Sequence, residues 1–204
     1  MRLTTRDRQM FQWINGHGFV TLPQAATWMD ASYYAARRRL RVLVDNGYLE
    51  RRRFEHGGAR VHWLTTKGWE VSGDSLAPPK TINRITYFHD TTLVDVALTI
   101  AAQTGGSFFP ERRLRANLLA KGRRTQSHLP DGLLYIDGRK PIAIELEMSV
   151  KSTDRLDRII SAYITNLRLE EVWYFVTNKD VRNAVERTIG SYDGFKVISW
   201  EGAA

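Results

Sequence analysis

Over the first 46 residues the apolar positions recur at helical spacing. Met10, Phe11, Trp13 and Ile14 fall on one side of residues 5–15, with Arg6, Asp7 and Arg8 polar, and this predicts an amphipathic helix stopped at Gly16-His17-Gly18. Phe19 to Gln24 opens a second helix. Thr21 suits its N-cap, Gln24 completes a capping box, and Pro23 fits a first turn. Asp30-Ala31-Ser32 breaks the chain before a third helix over 32–46, in which Ala36, Leu40, Leu43 and Gly47 make one buried stripe. Tyr33, Arg37, Arg38 and Arg41 are left outside that stripe. The pattern then becomes that of a hairpin, with strands over 48–54 and 59–64, a turn at Glu55-His56-Gly57-Gly58, and Thr65-Thr66-Lys67-Gly68 closing the unit.

Residues 72–84 carry no periodicity and include Pro78-Pro79, which predicts a linker. A helix follows over 87–103, with Leu93, Val96, Ala97 and Ile100 inward, then an extended stretch from Ser107 through Glu111-Arg112-Arg113-Leu114-Arg115. Strands are expected at 131–136 and 141–148, a helix at 153–168, a buried strand at 172–176, a helix at 180–189 and a strand at 195–199. The expected fold class is α+β and α/β, with an N-terminal winged helix-turn-helix (1–71) joined through 72–84 to a mixed sheet flanked by helices (85–204).

Composition sharpens this picture. The 204-residue chain has no cysteine, which excludes disulfides and thiolate metal sites. No apolar run approaches the ~20 residues of a membrane span, so no membrane partner and a cytoplasmic location are expected. Of a net charge of +8, six units lie in residues 1–80, where Lys+Arg number 13 and Asp+Glu 7. The clusters Arg37-Arg38-Arg39-Leu40-Arg41 and Arg51-Arg52-Arg53 lie there too. A helix with an apolar stripe and a basic remainder, after a turn and another helix, is what a recognition helix requires. Double-stranded DNA is therefore the expected partner. Ser32, Tyr33, Tyr34, Arg37, Arg38 and Arg41 would face the groove, and Arg51, Arg52, Arg53 and Arg60 would contact DNA from the wing. The alternative, that these arginines only solvate a protein-binding helix, stays open at this level.

The second half holds an acidic constellation. In Ala143-Ile144-Glu145-Leu146-Glu147-Met148 the strand period puts Glu145 and Glu147 on one face, and Asp131 opens the preceding strand. Three converging carboxylates repel unless something positive joins them, and Mg²⁺ or Mn²⁺ suits all-oxygen ligands. Asp131, Glu145 and Glu147 are thus the candidate metal ligands. His128 is expected in a loop, against backbone or the acidic site. No HExxH, GxSxG or phosphate-cradling glycine loop is present.

Pro130-Asp131 followed by Glu145-Leu146-Glu147 resembles the PD-(D/E)xK nuclease superfamily, over roughly residues 86–178. The resemblance implies a catalytic set of Asp131, Glu145 and Glu147, with Lys151 reaching back because Glu147 stands where that superfamily usually has lysine, and with Glu111 as an upstream acid. The winged helix together with His89-Asp90, Glu111–Arg115, His128–Gly132 and Glu145–Ser152 is similar to the replication-relaxation family, which includes relaxosome accessory proteins of the mobilization protein C type. That likeness implies a DNA-binding helper of a plasmid or mobile element, partnered by a relaxase or replication protein. Three functions remain in play: an accessory factor without its own catalysis, a Mg- or Mn-dependent endonuclease delivered by the winged helix, and a transcriptional repressor.

Overall fold

The computed structural model describes residues 2–53, 59–123 and 128–202, so the expected turn at 55–58 lies outside the described residues. The chain forms two compact units, Met1–Leu98 and Thr99–Ala204. The first contains α1 (Thr5–His17), β1 (Val20–Thr21), α2 (Leu22–Trp28), α3 (Tyr33–Asp45), β2 (Leu49–Arg53), β3 (Arg60–Leu64) and α4 (Thr66–Ser72). Helix α5 (Tyr87–Thr104) contains the division between the units.

Short polar residues start the helices of the first unit. Thr4 and Thr21 each form a complete capping box, with Asp7 and Gln24 as the returning side chains, and Ser32 and Thr65 cap α3 and α4. The apolar faces meet in one core, where Met10, Phe11, Ile14, Val20, Ala36, Leu40, Leu43, Leu49 and Leu64 are all nearly or fully buried. Strand β3 is central in a three-stranded antiparallel sheet of order β1-β3-β2.

Residues 65–72, expected only to close the unit, form helix α4. Gly68 lets that helix approach the hairpin, since a Cβ there would lie 2.1 Å from the Tyr48 carbonyl oxygen. The 72–84 segment is bound to this unit. The Asn15 amide donates to Asp74 Oδ2 at 3.1 Å and to the Leu76 carbonyl at 2.5 Å. The first part of α5 also belongs here, with Val94 in the core and the Gln24 amide donating to the Thr91 carbonyl and Asp95.

The second unit contains β4 (Ser107–Pro110), α6 (Glu111–Ala120), β5 (Gly132–Tyr135), β6 (Ile142–Glu147), α7 (Thr153–Ile164), β7 (Val172–Val176), α8 (Lys179–Ile189) and β8 (Phe195–Ser199). Its mixed sheet runs β4-β5-β6-β7-β8, antiparallel from β4 to β6 and parallel from β6 to β8. Helices α7 and α8 are the crossovers that parallel neighbours require, and their apolar faces (Leu156, Ile159, Ile160, Val181, Val185, Ile189) pack with Ala143, Val172, Tyr174 and Val176.

One expected element differs. Residues 111–115 are the first turns of α6 rather than extended chain. Pro110 takes extended angles at the N-cap, the residues that follow are good helix formers, and Arg115 pairs with Glu111 one turn back.

Candidate nucleic-acid interface and acidic cluster

Helix α3 begins where the Ser32 hydroxyl accepts from the Ala35 amide at 3.3 Å. With Ala36, Leu40 and Leu43 buried, Tyr33, Tyr34, Arg37, Arg38 and Arg41 are exposed. Arg39 differs from its neighbours. Its Nε donates to Asp7 Oδ1 at 2.7 Å and its Nη2 pairs with Asp7 Oδ2. Burial pushes the Asp7 carboxyl up, but Arg39 and the Thr4 cap outweigh it and hold the group below its usual range. One arginine of the basic run is therefore a tie between α3 and α1, a role that its place in the run did not signal.

In the wing, strand alternation divides the arginines. Arg51 stands opposite His62 and Arg53 opposite Arg60, on the same side of the ribbon, while Glu50 opposite Trp63 and Arg52 opposite Val61 take the other. The Arg53–Arg60 pair sets two cations across from each other, an arrangement that repels without an anion between them. Between α3 and the wing lies a cleft of about 400 Å³ bordered by Tyr33, Arg37, Arg41, Arg51, Arg60 and His62. A hollow of about 500 Å³ beside it adds Tyr34 and Arg38. Among the described residues the acid bordering that hollow is Asp45, which holds Arg41 at 3.5 Å with both side chains largely exposed, so the pair gives way readily. The structure thus gathers eight of the ten expected contact residues. Ser32 serves as a helix cap, and Arg52 lies on the other face of the wing.

His62 adds a feature that the sequence did not signal. It is 4% exposed, and its Nδ1 has no hydrogen-bond partner among the described residues. Burial, with the charges of Arg51 and Arg60, lowers it to about 4, so the ring is neutral beneath the arginines at physiological pH.

In the second unit every residue of β6 is buried. Asp131 lies just before β5, whose Gly132 pairs with Ile144, and its Oδ2 accepts from the Leu146 amide at 2.8 Å. Gly132 makes room for the Phe108 ring, which a Cβ would meet at 2.1 Å. Glu145 and Glu147 are 1% and 4% exposed. His128 Nε2 lies 2.6 Å from Glu145 Oε1, and the Tyr163 hydroxyl donates to the same oxygen. Burial, with the charge of Asp131, pushes the Glu145 carboxyl up to about 7 against the opposing bonds from His128 and Tyr163. Burial draws His128 down, but its bond to Glu145 prevails and raises it. Lys151 Nζ pairs with Glu147 Oε1. Tyr174 stands beside Glu145 in the parallel register, fully buried, with its hydroxyl unpartnered among the described residues.

Asp131, Glu145, Glu147 and Lys151 thus come together, whereas the Glu111 carboxylate pairs with Arg115 on its own helix. Among the described residues no three His, Asp or Glu side chains form a group able to hold a metal ion. Repulsion among the carboxylates is relieved by a backbone amide, a histidine, a tyrosine and an ammonium, each on one oxygen of its carboxylate.

No helix among the described residues is long and apolar enough to cross a membrane. No curated protein and no solved structure matches the chain. Residues 6–63, from α1 nearly to the end of β3, match the DeoR-like helix-turn-helix domain, and this similarity supports a DNA-binding regulatory role.

Proposed function

We propose that the protein is a double-stranded DNA-binding accessory or regulatory factor of a plasmid or mobile element, acting in replication, relaxation or mobilization without catalysis of its own. What supports DNA binding above all is the cleft shared by α3 and the wing, where Arg37, Arg41, Arg51 and Arg60 converge. Residues at the start of α3 would read base edges and the arginines would hold phosphates. The role on a mobile element rests on the likeness to the replication-relaxation family. Transcriptional repression would use the same interface.

A metal-dependent endonuclease is the second reading, favoured by the meeting of Asp131, Glu145, Glu147 and Lys151. One assay separates the two. Supercoiled plasmid carrying the upstream region is incubated with the protein in Mg²⁺, in Mn²⁺ and in EDTA, beside an Asp131→Ala variant. The expected result is retarded, intact plasmid in every lane. Metal-dependent nicking that Asp131→Ala abolishes would make the protein a nuclease with a PD-(D/E)xK-like domain.

A further inference from the structure

The face of the wing turned away from α3 borders a cavity of its own, about 670 Å³ in volume, within the range of small-molecule sites. Glu50, Arg52 and Trp63 line it from the hairpin, and the segment from Pro78 to Arg84 closes it. Arg52, Arg53, Lys80 and Arg84 border it, and among the described residues Glu50 is the one carboxylate that does. Lys80 and Arg84 are exposed and, among the described residues, make no ion pair. Half-buried Trp63 packs with Phe19, Val61, Tyr87 and Ile82, which fixes an aromatic wall beside these cations. Cations call for an anion, and the indole and the proline pair call for a flat apolar body.

We propose that this cavity binds a nucleoside monophosphate, its base against Trp63 and its phosphate among Arg53, Lys80 and Arg84, and that its occupancy weakens DNA binding. Arg53 makes the coupling, because it borders both this cavity and the DNA-facing cleft. A phosphate that engages its guanidinium on one side withdraws it from the other. The coupling rests on the DNA-binding reading above; the site itself does not.

The test titrates the full chain calorimetrically with AMP, adenosine and inorganic phosphate at constant ionic strength, then measures DNA affinity by anisotropy with and without AMP. AMP is expected to bind at one site, at least tenfold more tightly than adenosine or phosphate. The double variant Lys80→Ala/Arg84→Ala should lose at least tenfold in AMP affinity. AMP should weaken DNA binding by the same factor by which DNA weakens AMP binding. Failure of AMP to bind, binding no better than that of phosphate, or an unchanged double variant would overturn the site. AMP binding with unaltered DNA affinity would overturn the coupling. A protein that binds no DNA even without AMP would instead overturn the reading of the winged helix.

Discussion

Replacing Arg37, Arg38 and Arg41 together with alanine removes three exposed cations from one face of α3 and should leave the fold intact. Alanine is the best helix former, none of the three is in the core, and the Arg41–Asp45 pair is too exposed to matter much for stability. If each arginine neutralises one phosphate, the slope of log affinity against log salt becomes shallower by about 0.9 per residue, or roughly 2.7 for the set. At about 0.1 M salt that corresponds to a loss of some 500-fold in affinity, which shrinks toward nothing near 1 M. Fluorescence anisotropy with a labelled duplex at four or five salt concentrations measures both quantities, and thermal melts verify the fold. An unchanged slope would refute the placement of these arginines on DNA, whatever happened to affinity at any single salt concentration.

The fourth arginine of the run should behave differently. Arg39→Ala leaves Asp7 buried without its guanidinium, which costs about 2 kcal/mol after allowing for the partial exposure of Arg39; melts should show the loss, while the salt slope of DNA binding stays at its wild-type value. His62 binds its proton more weakly in the fold (about 4) than in the unfolded chain (6.5), so the first unit loses up to about 3 kcal/mol as pH falls from 6.5 toward 4. Urea melts at pH 7 and 4.5 measure this, and His62→Leu should remove most of the difference. Glu145 has the opposite sign. Its folded value of about 7 lies above the ordinary 4.5, so its contribution is full below 4.5 and is lost as pH rises through 7, and His128, also raised, adds in the same direction. Between pH 5 and 8 the second unit should therefore weaken in wild type, and Glu145→Gln should flatten that dependence in melts of the full chain.

Local rules made much of this molecule readable from its residues. The Thr21–Gln24 capping box, the Ala36-Leu40-Leu43 stripe and the paired runs of the hairpin each depend on neighbours a few positions apart, and the structure has all three. Two of the differences have clear physical causes. Thr65-Thr66-Lys67-Gly68 reads only as the close of the unit, yet Thr65 caps a helix whose glycine is needed for contact with Tyr48. Residues 111–115 read as a continuation of the extended stretch from Ser107, but helix propensity prevails once Pro110 sets the start. In the acidic cluster the carboxylates were visible through the two-residue strand period. His128, expected against backbone or the acidic site, does meet Glu145 from 17 residues away, whereas Tyr163, 18 residues on and carried by a helix, gave no local signal. Arg39 was obscured for the same reason, since Asp7 is 32 residues away.

Among the described residues strand β2 has a sheet neighbour on one side, because β1 occupies the far side of β3. Such an edge is a template for unwanted pairing between molecules, and charged side chains are a common protection. Arg51, Arg52 and Arg53 place three successive cations along it. Arg51 and Arg53, which would hold DNA, should therefore also help to keep the purified protein dispersed. Their removal would couple loss of affinity to self-association, and a nucleic acid bound along this edge would act as a solubilising cover for it.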